Sequence, residues 1–397
     1  MHLSFQDLIQ PLSKAQFFTQ VEGQSARYFP ATGERFAELF GWADVERLLD
    51  MSSLWSDQSL KLVLDGAEVP LEAYCVPGRT REGQRVMLPV AAQLEDYLSR
   101  GATLVLDRVE DLTPAVAALS RHLESVLGAS VVCNVYCSWQ AHQGFPSHND
   151  TTDVYVLHIA GVKNWRIYSG RALNPSAHAG HHYSHHGPEH HARAKGQIQQ
   201  ELELKPGDML YLPRGQYHDA TAGSQASLHL SFGINRALGM DFMQVLMESL
   251  ADDAHFRQAL PHFDCPTALG AHLRVLADRL HAQLDDQDLV AQVAGWQRQR
   301  VLRATPVRMQ LPGRKAGDWL RVIQSGQRLV TAGEGLVLAD GEGRCVDVSD
   351  AEAGLLEWIL NQELFACREL HAAFPEQVDA AGKLLDRLLQ AGCLESI

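Results

Sequence analysis

No stretch of this 397-residue chain is apolar for the ~18–20 residues that a membrane-spanning helix requires. Cysteine is sparse and scattered: Cys75, Cys133, Cys137, Cys265, Cys345, Cys367 and Cys393 are odd in number and form no CxxC pair. That argues against a disulfide framework or a zinc ribbon, and the expectation is reduced thiols in a cytoplasmic protein. The amino-terminal MHLSFQDLIQPLSKAQFF lacks the basic start, apolar stretch and small-residue cleavage site of a signal peptide. A surplus of positive charge is also missing. With 34 Lys and Arg against 48 Asp and Glu the formal net charge is −14, wrong for nonspecific nucleic-acid binding. The same charge favours encounter with a basic protein or peptide.

What is present is ample material for a core, 46% hydrophobic and 21% charged residues, over a length that suggests two or three domains. The first hundred residues mix short helical and irregular segments, with helix-like spacing over 45–50 and 89–100. GATLVLDRV (101–109) reads as a turn and a buried strand. PAVAALSRHLESVLG (114–128) is an amphipathic helix with Pro114 at its start and Gly128 at its end. From 130 to 236 β-branched and aromatic runs, such as SVVCNVYCSW, DVYVLHIAG, DMLYLP and ASLHLSFGI, are separated by Gly, Pro, Asn and Asp, which suggests a sandwich or barrel. Residues 240–300 turn helical, and 301–397 mix short strands with two helical stretches, AEAGLLEWILN and AAGKLLDRLLQAG.

Three features inside the β-rich region carry chemistry. His148-Asn149-Asp150 precedes a strand, and residues two apart on a strand share a face. His218 follows seventy residues later, after a PxGxxH turn (Pro213, Gly215). Two imidazoles and one carboxylate on one side of a metal leave open positions, the arrangement of non-haem iron(II) sites. Lys163 lies on the next strand, where a cation would clamp a second carboxylate; the plainer alternative is a solvated lysine at a strand end. HxD alone is a weak signal. A second copy, His262-Phe263-Asp264, has no β-run after it and sits beside helical sequence, where residues two apart do not face each other, so it is expected at the surface.

NVYCSWQAHQGFPSHNDTTDVYVLHIAGVKNWRIY (134–168), followed by LELKPGDMLYLPRGQYHDA, resembles the JmjC-type iron(II)- and 2-oxoglutarate-dependent oxygenases, and within them the ribosomal oxygenases. The resemblance covers most of the chain. It implies a mainly β catalytic core, a double-stranded β-helix or cupin-like jelly roll with flanking helices, over 1–240. A helical dimerisation segment over 241–300 and a winged-helix-like α+β domain over 301–397 would follow. It implies His148, Asp150 and His218 as iron ligands and Lys163 as the partner of the distal carboxylate of 2-oxoglutarate. Asn134, Tyr136 and Ser138, which alternate along one strand, would line the cosubstrate and substrate pocket, although Tyr136 also reads as a core aromatic. Trp165 and Tyr168 read as packing residues, and the roles of His229 and Ser231 stay open. Two departures lie near the pocket: Trp139 stands where the family usually has Pro, and Asn149 where an aromatic is common. The substrate residue is thereby left open.

The implied activity consumes 2-oxoglutarate and O2 and hydroxylates a side chain of a ribosomal protein or similar basic polypeptide, in a homodimer. Hydroxylation or N-demethylation of another peptide is a second reading, and a non-catalytic cupin-like binding protein a third. The histidine-rich run HAGHHYSHHGPEHH (178–191) is broken by Gly180, Gly187 and Pro188 and is expected to be an exposed insert, with adventitious metal binding as a secondary role. Residues 301–397 carry ten Lys and Arg against fourteen Asp and Glu, which disfavours DNA and favours a protein contact.

Overall fold

A computed structural model describes residues 3–31, 33, 35–139, 144–176, 187–285, 287–301, 319–323, 328–332, 335–339, 345–362 and 364–396. The chain divides into two compact units, one reaching from Leu3 to Arg303 and one from Ala304 to Ile397.

In the first unit, short helices α1 (Phe5–Ile9) and α2 (Lys14–Gln20) each begin at a serine whose side chain caps the first turn. Strand β1 (Arg27–Phe29) and helix α3 (Trp42–Asp50) follow. Sequence reading left the next segment irregular, yet it holds β2 (Leu60–Leu64) and β3 (Ala67–Glu68), joined by Asp65-Gly66 with φ of 51° and 79°. Both turn residues sit at positive φ, the geometry a two-residue hairpin needs, so Asp-Gly was the missed signal. A second hairpin, β4 (Cys75–Arg79) and β5 (Arg85–Pro89), precedes helix α4 (Ala91–Ser99) and strand β6 (Thr103–Leu106). Helix α5 (Pro114–Leu127) runs as expected: Thr113 caps it, Pro114 opens it, and Gly128 ends it at φ 60°.

The β-rich region supplies β7 (Ser130–Ser138), β8 (Asp153–Ala160), β9 (Lys163–Arg171), helix α6 (Pro188–Ala194), then β10 (Ile198–Leu204), β11 (Met209–Leu212), β12 (Gln216–Ala222) and β13 (Ser227–Asn235). Two antiparallel sheets result, one in the order β1-β11-β8-β13-β7-β6-β2-β3 and a smaller one in the order β10-β9-β12. This is the mainly β core with flanking helices that the sequence led us to expect.

Alternation along the central strands assigns each residue its side. On β7, Val131, Cys133, Val135 and Cys137 join the large core shared with α1, α2 and α5, while Val132, Asn134 and Tyr136 line an internal cavity. Strand β13 repeats the pattern: Leu228, Leu230, Phe232 and Ile234 face that core, and His229, Ser231, Gly233 and Asn235 face the cavity. A second cluster, including Val154, Val156, Trp165, Ile167, Leu204 and Leu210, packs the small sheet against the large one. The helical stretch consists of α7 (Gly239–Leu250), α8 (Pro266–Leu284) and α9 (Gln287–Val301).

The second unit is α+β. Its strands are β14 (Trp319–Val322), β15 (Arg328–Ala332), β16 (Gly335–Ala339), β17 (Cys345–Val348), β18 (Leu364–Ala366) and β19 (Leu394–Ser396). Besides the two expected helices, α10 (Ala353–Leu360) and α12 (Val378–Gln390), it holds the seven-residue α11 (Cys367–Ala373), too short to show a helical period in sequence. Leu355, Leu356, Ile359, Phe365, Leu370, Leu384 and Leu388 build its own core.

Candidate metal centre and carboxylate pocket

The HxD segment is not on a strand. β8 begins only at Asp153, and His148 makes one isolated bridge to His218. The His148 N–H donates to the His218 carbonyl at 3.0 Å and the His218 N–H to the His148 carbonyl at 2.9 Å. His148 and Asp150 therefore converge through a loop pinned at both ends rather than through strand alternation. The second pin is Gly215, whose N–H donates to the Asp150 carbonyl at 2.9 Å. Gly215 has φ of 83°, and a Cβ there would lie 2.1 Å from the Ala172 carbonyl oxygen. Only glycine lets the PxGxxH turn approach this closely.

One ligand atom from each of His148, Asp150 and His218 lies within 4.8 Å of the others, the one such group of three among the described residues. Each imidazole is oriented by its Nδ1: that of His148 meets the Pro146 carbonyl at 2.9 Å, and that of His218 the Gln216 carbonyl at 3.0 Å. A carbonyl only accepts, so each Nδ1 carries the hydrogen and each Nε2 of the neutral ring offers its lone pair. His218 Nε2 stands 3.6 Å from Asp150 Oδ2. Burial, then the neighbouring His148, pulls the His218 pKa down to about 4 against the pull of Asp150, so the ring is neutral at pH 7.

Lys163 is not the solvated strand-end lysine that a hairpin would allow. It is 4% exposed and lines the same cavity as the triad. Its Nζ donates to Ser138 Oγ at 3.0 Å, and Ser138 is bonded to Thr103 Oγ1 at 3.1 Å. Burial pulls its pKa down to about 8. Neither hydroxyl carries a charge to match the ammonium. Asn134 and Tyr136 line the cavity beside it, and the Asn134 side chain bonds Tyr136 while its Oδ1 accepts from the Arg108 N–H at 3.0 Å. Ser138, expected to line the pocket, is buried and is not among the residues lining the cavity; it reaches it only through its bond to Lys163.

His229, whose role the sequence left open, and Trp165, which it read as a packing residue, also line the cavity. The His229 ring stacks on Tyr136 at 4.8 Å, and burial holds its pKa well below the usual value, so it is neutral. Trp165 stacks on the His218 ring at 5.8 Å, and its buried Nε1 has no hydrogen-bond partner among the described residues. Strand alternation on β9 and β13 was the available signal for both. Tyr168 is buried as expected and also donates to Asp219. The cavity measures about 200 Å³.

The second HxD copy lies in a turn before α8 and not in a helix. His262 Nδ1 and Asp264 Oδ2 approach to 3.5 Å, but both side chains are exposed, at 62% and 74%. Of the histidine-rich run, 178–186 lie outside the described residues, while His190 and His191 stand on α6.

Residues 110–241 match the family model of the JmjC domain. They are a JmjC domain. Relatives of the JmjC-bearing chain include ribosomal oxygenase 2 of Mus musculus, 25% identical over 301 residues, 70% of this chain and 60% of the relative. Ribosomal oxygenase 1 of Homo sapiens is 26% identical over 273 residues, 65% of this chain and 39% of the relative. The chain thus spans at most about 60% of the length of these relatives. Among solved structures, Escherichia coli YcfD is similar over 97% of this chain and 98% of its own, with a TM-score of 0.53 and 15% identity. A structure of that ribosomal oxygenase with cobalt and succinic acid has a TM-score of 0.50 at 14% identity over the same shares. These likenesses place the fold of the JmjC domain with that of the ribosomal oxygenases. Among the described residues no helix is long and apolar enough to cross a membrane.

Proposed function

We propose that this protein is an iron(II)- and 2-oxoglutarate-dependent hydroxylase acting on a side chain of a ribosomal protein or a similar basic polypeptide. The observation that carries the reading is one cavity holding both a His-Asp-His triad and a buried ammonium with no acidic partner among the described residues. The donor set suits iron(II), with His148 Nε2, His218 Nε2 and an Asp150 carboxylate oxygen as ligands. The lone ammonium suits a carboxylate that the protein itself does not supply. Cobalt and succinic acid in the YcfD structure, a metal and a dicarboxylate, agree with that pairing.

When bound, iron(II) with 2-oxoglutarate and O2 supplies the oxidation of a C–H bond to C–OH, with succinate and CO2 as the other products. The chain's residues provide geometry. Lys163, held by its bond to Ser138, grips the distal carboxylate, and Asn134 and Tyr136 shape the adjoining wall. Val154, Val156 and Trp165 exclude water from that side. A net charge of −14 draws a basic polypeptide toward the domain.

The helical segment 241–300 serves as a dimerisation element. Met240, Met243 and Met247, at helical spacing on α7, are 50%, 44% and 68% exposed, and α8 buries no residue of its own. The segment 301–397, winged-helix-like and acidic, makes protein contacts and does not bind DNA. The protein works in the cytoplasm, consistent with its thiol usage.

The test is anaerobic loading with Fe(II) and 2-oxoglutarate, then O2, scoring succinate with and without ribosomal proteins. Succinate that rises with one ribosomal protein, accompanied by a gain of ~16 Da on it, supports the proposal. Turnover unresponsive to every ribosomal protein removes the substrate class. No succinate from folded, iron-loaded protein removes the activity.

A further inference from the structure

Because His218 faces the cavity, its neighbours Tyr217 and Asp219 on β12 point to the opposite side. There Asp219, 2% exposed, gathers three donors. Tyr168 Oη donates to its Oδ2 at 2.5 Å, Ser147 Oγ to the same oxygen at 2.8 Å, and Arg166 Nε to Oδ1 at 2.8 Å. Ser147 immediately precedes the ligand His148. Its hydroxyl gives its one proton to Asp219 and accepts from Lys195 Nζ at 3.0 Å. Lys195, which caps α6, also stands 4.6 Å over the Tyr168 ring. From the same helix His191 Nδ1 meets the Tyr217 hydroxyl at 2.8 Å. The chain neighbours of both imidazole ligands are thus held from one helix and one buried carboxylate.

We propose that Asp219, Ser147, Lys195 and His191 are positioning residues that fix the separation of the two imidazoles of the metal centre. The inference rests on the reading of the triad as that centre. A direct tie, Ser147 to Asp219, joins the segment carrying one ligand to the segment carrying the other, in parallel with the backbone bridge between the ligands themselves. The bridge sets the backbones. The brace stops each segment from rolling about it, which is the motion that would swing His148 Nε2 away from His218 Nε2. Groups that orient ligands in this way act on metal affinity, and their loss costs ~10–100-fold. The helix that completes the brace, α6, begins with Pro188 and so contains the last four residues of the histidine-rich run.

The experiment uses full-length metal-free protein titrated anaerobically with Co(II), read by ligand-field absorption. Urea denaturation of the metal-free form runs in parallel. Ser147→Ala and Lys195→Met are expected to weaken Co(II) binding by ~10-fold or more and to change the band shape, with unfolding midpoints close to wild type. Ser147→Thr, which keeps the hydroxyl, is expected to restore both. Asp219→Asn should show the largest effect; because that site is buried, the two half-exposed positions decide if it does not fold. His148→Ala separates this inference from the reading beneath it. Wild-type Co(II) affinity and spectrum in Ser147→Ala and Lys195→Met, with binding lost in His148→Ala, overturn the brace and leave the metal centre standing. Losses that merely track a lowered urea midpoint also overturn it. Undiminished binding in His148→Ala overturns both.

Discussion

Replacing Lys163 by methionine is expected to make the protein without bound dicarboxylate more stable while abolishing its use of 2-oxoglutarate. Burial pulls the ammonium from 10.5 down to about 8. At ~1.4 kcal/mol per pKa unit, the folded state carries a cost of about 3 kcal/mol for holding that charge at pH 7. Losing the bond to Ser138 returns ~1 kcal/mol, so the net gain is about 2 kcal/mol. Methionine fills similar volume with an unbranched apolar chain and adds little strain. The sign with pH follows from proton counting. The unfolded lysine keeps its proton up to its ordinary pKa of 10.5, whereas the folded one releases it near 8. Between those values the unfolded state binds more protons, so wild-type stability contributed by this group rises with pH. The penalty is whole below about 8 and relieved towards 10.5. Urea denaturation of both proteins should therefore show Lys163→Met ahead at pH 7, with the gap closing at about pH 10. A Lys163→Met protein less stable than wild type at pH 7, or a gain that ignores pH, would refute the argument that the ammonium is buried without a counter-charge.

The same group sets a pH dependence for the cosubstrate: the KM for 2-oxoglutarate is expected to climb with pH above about 8, by up to ~10-fold per unit, and Lys163→Arg should move the climb upward. Gly215→Ala forces a Cβ to within 2.1 Å of the Ala172 carbonyl at φ 83°, so well over ~1 kcal/mol of stability should be lost. Metal affinity should fall with it, since the Gly215 N–H holds the Asp150 carbonyl. His218→Ala should abolish succinate formation, while His262→Ala and Asp264→Ala, both on exposed side chains, should leave kcat/KM and the urea midpoint unchanged. If 241–300 mediates dimerisation, Met243→Glu with Met247→Glu should convert a dimer to monomer in light scattering without loss of helix by circular dichroism.

Much of the site was legible because it depends on local pattern. The helix at 114–128 announced itself with Pro114 and Gly128, and the strands at 130–138 and 227–235 with runs of β-branched and aromatic residues. The three triad residues were found from spacing and context, although the supposed strand under His148 and Asp150 is a loop. Strand placement failed there because the segment is held by hydrogen bonds to His218 and Gly215, seventy and sixty-five residues away. The Asp65-Gly66 hairpin was legible and overlooked.

Residue type and period, then, were enough to say which side chains alternate, which ends of helices are capped, and that two imidazoles, a carboxylate and a lysine fall in one β-rich stretch. These are properties of a few consecutive residues, and the chain carries them wherever it folds. Whether Lys163 meets solvent or lines a cavity, whether His229 and Trp165 look inward beside it, and whether Asp219 ties Ser147 to Tyr168 were decided only when β7, β9, β12 and β13 came together. Burial and the partners of a charge depend on elements far apart in sequence, and no local pattern encodes what they will enclose.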